Sequence, residues 1–341
     1  MLAVLPGLAL VVALAVVARL IHGRVPPDIG KLVGEVIFAV ILGLAVGNIF
    51  RIPKFAEPGI KFAFQTLLRL AIVLLGATFT FTAALSIGAR ALLMVVALMT
   101  LALLTAHALG RIVGVPGKLS TLIGVGTAVC GNTAISAVAP VIGAADEETS
   151  FAIATNTLFG TLAVFAYPIL GHALHLSDPA FGTWAGTAVN DTSQVVATGF
   201  AYSAAAGKVA TVVKLTRNTL MGGVIILMAV LYGRSATGSI GQRVKQSVPL
   251  FVLGFLLTCL LNTVGVLATV GNLLHRDLSA DAQTAAKFLV LVALAGVGLG
   301  TRFSAMRRIG LRPFWVGLAT ALVTAGASYA MIHAFGAAAS A

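Results

Sequence analysis

Apolar runs of about 20 residues recur along the whole chain, each long enough to cross a hydrocarbon core of about 30 Å. A backbone in lipid must satisfy its own hydrogen bonds, so an isolated run of this kind is a helix. The residue alternation of a membrane barrel is absent. Only 9% of the residues are charged, whereas a soluble domain carries about 25%. The sequence therefore predicts an all-α polytopic membrane protein with about 11 transmembrane helices. They fall at roughly 2–20, 31–50, 62–82, 91–110, 119–142, 150–172, 180–203, 207–231, 247–268, 285–303 and 313–335.

A net charge of +12 would suggest nucleic acid in a soluble chain. Here the basic residues gather in short loops, the pattern that orients membrane helices, and no nucleic-acid partner is expected. Arg51 with Lys54, Arg111 with Lys118, the group Arg234, Arg243 and Lys245, and the group Arg307, Arg308 and Arg312 follow spans two, four, eight and ten. All would share one side, with the acidic loop Asp146-Glu147-Glu148 on the other. That places the amino terminus in the cytoplasm and the carboxyl terminus outside. Arg19, His22 and Arg24 after span one argue the other way and are outweighed. Without a basic n-region, the amino terminus reads as a retained first helix followed by a break at Pro26-Pro27. Cys130 and Cys259 both lie in apolar spans and imply no disulfide framework.

The chain reads as one transporter domain over 1–341, with its polar core at 119–218. Two Gly-Thr-Ala-Val tetrads begin at Gly126 and Gly186, and small polar residues follow each: Cys130, Gly131, Asn132 and Thr133 after the first, Asn190, Asp191, Thr192, Ser193 and Gln194 after the second. Glycine and polar residues at bilayer depth predict discontinuous helices near 119–142 and 180–203, whose half-helix ends can hold ions. Packing through small residues explains the glycines equally well; Gly182 and Gly186 have that spacing. Asp191 lies near the middle of span seven, on a stripe with Thr187, Asn190, Gln194 and Thr198. An acid at that depth costs roughly 2.5–3.5 kcal/mol and faces a cavity or a partner. Thr211, Lys214, Arg217 and Asn218 share one face of span eight, with the cations about 10–15 Å deep. Pairing with Asp191 is the structural alternative for them, but two cations against one acid leave a positive excess suited to an anion. Asn132, Thr133 and Ser136 are read as lining the opposite wall and Cys130 as a small packing residue; Thr127 belongs to the first tetrad, and Asn156 lies in the polar turn that opens span six.

A second echo joins Gly76, Phe81, Gly88 and Arg90, at the end of span three, to Gly298, Phe303, Gly310 and Arg312 at the end of span ten. An odd displacement in spans makes such copies inverted, so inverted repeats are expected around 60–110 and 282–332; chance similarity in a biased composition is the alternative. Glu35 and Arg69 could pair or sit at opposite interfaces. The histidines have no metal-ligand spacing, and neither a nucleophile–base set, a P-loop nor a cofactor fingerprint is present.

The run Cys130-Gly131-Asn132-Thr133-Ala134-Ile135-Ser136 continuing to Ile142 resembles the YeiH/YadS-type family, labelled as candidate sulfate exporters. So do Leu158 to Thr161, Trp184 to Val196, and Val213 to Asn218. Some members carry His where this chain has Asn190. The resemblance implies an inner-membrane secondary carrier, related to the bile-acid-carrier and cation–proton-antiporter superfamily, with inverted repeats and crossing broken helices. The leading expectation is alternating-access transport of a small inorganic or organic anion, with sulfate export as the specific form. Its site would be Thr127, Cys130, Gly131, Asn132, Thr133, Asn156, Thr187, Asn190, Asp191, Thr192, Gln194, Lys214, Arg217 and Asn218. A coupling proton or sodium, the lipid bilayer and a second copy in a homodimer complete the expected partners; no cofactor or metal is expected. The alternatives are a sodium/proton antiporter using Asp191, by likeness to the Asn-Asp pair of such carriers, and a non-transporting sensor or scaffold.

Overall fold

The structure, a computed structural model, describes residues 2–25, 35–50, 52–232, 250–301 and 310–334, with Arg90 described for its backbone alone. The Pro26-Pro27 break, Arg51, the basic loop of Arg234, Arg243 and Lys245, and Phe303, Arg307 and Arg308 lie outside the described residues. The rest is helical, and helices stand where each of the expected spans was placed.

Taken in order they are α1 (Leu5–His22), α2 (Glu35–Ile49), α3 (Lys54–Gly76), α4 (Phe81–Val113), α5 (Gly117–Ala128), α6 (Asn132–Ile142), α7 (Asp146–Ala173) and α8 (Asp178–Ala188). Then come α9 (Thr192–Tyr202), α10 (Ala204–Thr219), α11 (Met221–Leu231), α12 (Leu250–Thr263), α13 (Val266–Leu273), α14 (Leu278–Gly300) and α15 (Leu311–Ala334). Among the described residues, 7 helices are long and apolar enough to cross a membrane, α10 and α11 counting together, or up to 8 if the bent pair α12–α13 is one span. This falls below the expected number for a physical reason. Spans five and seven are each interrupted, so their halves fail a length test that an unbroken rod would pass, and α2 is described only from Glu35.

Local signals account for several ends. Thr80 accepts the Ala83 N–H at the start of α4, and the Asp277 carboxylate accepts from Ser279 and Ala280 at the start of α14. The acidic cluster read as a loop is instead the first turn of α7, where Glu148 accepts the Ala145 N–H and three carboxylates face the positive helix end. The repeat pattern also sits differently from its reading as one helix end. Gly76 closes α3, Phe81 opens α4 and Gly88 lies within α4; in the second copy Gly298 is in the last turn of α14 and Gly310 precedes α15.

The chain divides into two compact units. The first comprises Met1–Ser86, Phe200–Lys208 and Leu250–Phe303. In it α2 and α14 cross with backbones nearly touching: a Cβ on Gly43 would stand 2.3 Å from the Ala295 carbonyl, so glycine is required there. The second unit comprises Ile87–Gly199, Val209–Pro249 and Ser304–Ala341, and it holds both interrupted helices. Within it α7 and α15 both pack on α5, and α15 also packs on α8. Trp184 of α8 stacks on Tyr167 of α7 with ring centroids 4.3 Å apart, and its indole N–H donates to the Ala325 carbonyl of α15 at 2.9 Å. Side chains such as Leu93 and Ile112 of α4, exposed by 82% and 79%, face outward as lipid contact demands.

Candidate functional site

Both tetrads end a half-helix. The first closes α5 at Ala128, and α6 restarts at Asn132 after a break at Val129–Gly131; the second closes α8 at Ala188, and α9 restarts at Thr192 after a break at Val189–Asp191. Gly131 makes the first break possible. Its φ of 68° and ψ of −128° are open to glycine alone among common residues. The two breaks adjoin: a Cβ on Gly131 would lie 3.0 Å from both the Cα and Oδ2 of Asp191.

An interrupted helix exposes carbonyls that no downstream N–H can meet, and α10 supplies their donors. The Arg217 guanidinium donates through Nε to Ala128 at 3.1 Å, and through Nη1 to Gly186, Thr187 and Val189 at 3.0, 2.8 and 3.0 Å. Its Nη2 donates to the Thr127 carbonyl. The Lys214 ammonium donates to Val129 at 2.8 Å, to Val189 at 3.2 Å and to Asn190. Both side chains are buried, at 0% and 1% exposure. They therefore serve the negative ends of α5 and α8 together, the place where a cation is most favourable. The alternative of a pairing with Asp191 is not what the structure shows: no ion pair involves either cation among the described residues.

Asp191 has a different local role. It is the N-cap of α9: its carbonyl accepts from Val195 N–H at 2.9 Å, and its Oδ1 accepts from the backbone N–H and hydroxyl of Ser193 at 2.9 and 2.7 Å. The Gln194 side chain returns to the Asp191 N–H at 3.3 Å, which is the N3-to-N-cap half of the box that Asp-x-x-Gln encodes. At α6 the N-cap is Gly131, which has no side chain, so no side chain caps that terminus.

Polar groups of α7 surround these two N-termini. Asn156 Nδ2 donates to Asn132 Oδ1 at 2.9 Å, and Asn132 Nδ2 donates to the Thr157 hydroxyl at 3.1 Å. Gln194 Nε2 donates to the Thr157 carbonyl and the Thr161 hydroxyl at 3.2 and 3.4 Å. On α10, Asn218 Nδ2 donates to the Thr192 hydroxyl at 3.3 Å. Among the described residues, the buried Asn156 Oδ1, Asn218 Oδ1 and Thr155 hydroxyl nevertheless lack a hydrogen-bond partner.

The structure thus brings Gly131, Asn132, Asn156, Asp191, Thr192, Gln194, Lys214, Arg217 and Asn218 together at the breaks. Other expected residues contribute otherwise. The Thr127 hydroxyl bonds back to Ile123 within its own helix, and the Thr187 hydroxyl joins Ser328 of α15 in a seam, so these two enter through their carbonyls. Asn190 likewise offers its carbonyl to Lys214. Cys130 is buried against the Met221 sulfur at 3.5 Å, and Thr133 is exposed in the first turn of α6. The stripe from Thr187 to Thr198 is not a continuous face, because the break divides it and the Thr198 hydroxyl turns back to the Gln194 carbonyl. Thr157, Thr161 and Ser193 are additions from the structure. Ser193 could have been anticipated from the capping pattern; Thr157, beside Asn156, and Thr161, in the motif from Leu158 to Thr161, had sequence signals, but their roles are set by tertiary contacts.

A family model described as conserved hypothetical protein 698 matches residues 6–317. Relatives named UPF0324 membrane protein include one from Clostridium tetani, 31% identical over 95% of this chain and 95% of its own length. Another, from Streptococcus pyogenes serotype M6, is 35% identical over 90% of each chain. A third, from Nitratidesulfovibrio vulgaris, is 30% identical over 97% of this chain and 93% of its own. The match spans both interrupted helices and the α10 cations, the segments that carry the YeiH/YadS-type motifs. This chain belongs to that family of multi-pass membrane proteins.

Proposed function

We propose that this protein is a secondary active transporter of a small anion, working by alternating access in the bacterial cytoplasmic membrane and doing no covalent chemistry on its cargo. Charge carries the reading. Lys214 and Arg217 are buried with no carboxylate in ion-pair contact among the described residues. If each helix end counts as about half an elementary charge, the two C-termini offset about one of the two cations, the two N-termini add about one, and Asp191 removes one. A balance of about +1 is left, which a monovalent anion neutralises and a cation worsens. Adjoining half-helix ends at bilayer depth are also the arrangement from which carriers build ion sites. Sulfate, moved outward, is the cargo that the family resemblance puts first, and inverted repeats around 60–110 and 282–332 would provide the two facing states. The test is flux of radiolabelled sulfate and other small oxyanions in proteoliposomes, with a pH gradient imposed in each direction. Absence of flux for every small oxyanion refutes the proposal.

One observation favours a second reading, sodium/proton antiport. Asp191 is half-buried, lies at the break, and has no cation paired with it among the described residues, so its carboxylate is open to a proton or a sodium ion. Asp191→Asn abolishes sodium-driven proton flux under that reading, whereas under the first it shifts anion preference and leaves anion flux measurable. Arg217→Ala does not discriminate, because it strips carbonyls of their donor under either.

A further inference from the structure

The two half-helix N-termini at the breaks offer donors, yet the side chains beside them present acceptors. Asn156 is 3% exposed, and its amide nitrogen lies 2.8 Å from where a Cβ on Gly131, the N-cap of α6, would stand. The run of donors from Asn156 to Asn132 to Thr157 sets the turn of that amide and leaves Oδ1, on the side of Gly126 in α5, without a partner among the described residues. Asn218 is 2% exposed and bonds the first turn of α9 through Nδ2, again leaving Oδ1 unmet. Among the described contacts the Asp191 carboxylate accepts only through Oδ1, while Oδ2 faces Gly131. Buried acceptors without donors are costly, so a site that retains them is shaped for something that brings a donor.

We infer that the cargo is an anion that also carries a hydrogen-bond donor: a protonated oxyanion or an amino-substituted sulfonate, in preference to a fully deprotonated dianion such as sulfate. This rests on the anion reading and sharpens it. The negative charge meets the positive balance of the breaks. An O–H or N–H of the cargo meets Asn156 Oδ1, Asn218 Oδ1 or Asp191 Oδ2, and a sulfate dianion would bring a donor to none of them. Sites that hydrogen-bond a substrate group reject analogues lacking it far more strongly than apolar pockets do.

The experiment is thermal stabilisation of the purified, detergent-solubilised protein in sodium-free buffer at constant ionic strength and mildly acidic pH, titrated with two pairs of anions. Sulfamate and methanesulfonate share charge and shape but differ in the N–H donor, so this pair isolates the donor; phosphate, mainly the dihydrogen monoanion, is compared with sulfate, from which it differs in charge as well. The donor-bearing member of each pair should half-saturate at a concentration at least about tenfold lower. Asp191→Asn, which keeps an oxygen to cap α9 but adds its own donor, should narrow that ratio. Equal or reversed preference overturns the inference while the anion reading stands. So does sulfate matching phosphate once sodium is restored, since the cation would then be what the oxygens hold. Stabilisation by none of the four anions defeats the anion reading, and the inference with it.

Discussion

Replacing Arg217 by Ala removes the donor that closes two half-helices at once. Thr127, Ala128, Gly186 and Thr187 would each lose a carbonyl partner, while Val189 keeps Lys214. An unmet buried acceptor costs about 1–3 kcal/mol; water entering the space left by the guanidinium favours the lower part of that range. The four together give a destabilisation of about 4–8 kcal/mol, comparable with the about 5–15 kcal/mol that separates folded from unfolded domains. Arg217→Lys keeps the charge but not the fork and should fall between Ala and the parent. Lys214→Ala strands two carbonyls, Val129 and Asn190, and should cost less than Arg217→Ala. The assay is thermal unfolding in detergent together with the monodisperse yield on size exclusion. The order expected is parent, then Lys214→Ala, then Arg217→Ala, the last yielding little folded protein. A monodisperse Arg217→Ala with the parent's melting temperature and parental flux would refute the idea that this guanidinium holds the breaks together.

Further substitutions probe neighbouring parts. Gly131→Ala forces a side chain into a positive-φ conformation and against Asn156 and Asp191; a loss of about 1–3 kcal/mol by thermal unfolding, with flux abolished, is expected. Gly160→Ala places a Cβ 1.7 Å from the Gln194 side-chain oxygen and should expel that side chain from the cap; because Gln194→Ala already removes the clash, the double variant should be no less stable than Gly160→Ala alone, as read from a double-mutant cycle. Asp191→Ala should lose about 1 kcal/mol of helix capping in thermal unfolding, whereas Asp191→Asn should retain most of it.

Several of these features were legible in the residues. Glycines and small polar residues after each tetrad signalled an interrupted helix, and both interruptions fall where that argument put them. The helical spacing of Lys214 and Arg217 placed them correctly on one face. What spacing could not show was their partner, because the obvious partner in a sequence is a charge. The actual partners are backbone carbonyls, which every residue has and no sequence pattern marks. Asp191 shows a signal that was present but read at the wrong scale: its depth suggested an ion partner, while Asp-x-x-Gln spelled a helix start. The link from Asn132 to Asn156 joins helices through folding alone, so it carries no local trace. The acidic cluster was misplaced by a few residues because carboxylates suit an exposed loop and a helix N-terminus equally well.

The position of Trp184 has a practical consequence. The chain has two tryptophans, and Trp315 is 56% exposed on α15; exchanging it for Phe leaves one fluorophore. That fluorophore sits one turn before the end of α8, sandwiched near Tyr167 and tethered to Ala325. Its emission wavelength therefore reports the surroundings of a half-helix end rather than the average state of the chain. If the breaks rearrange in the proposed transport cycle, this native indole is an optical probe of that change.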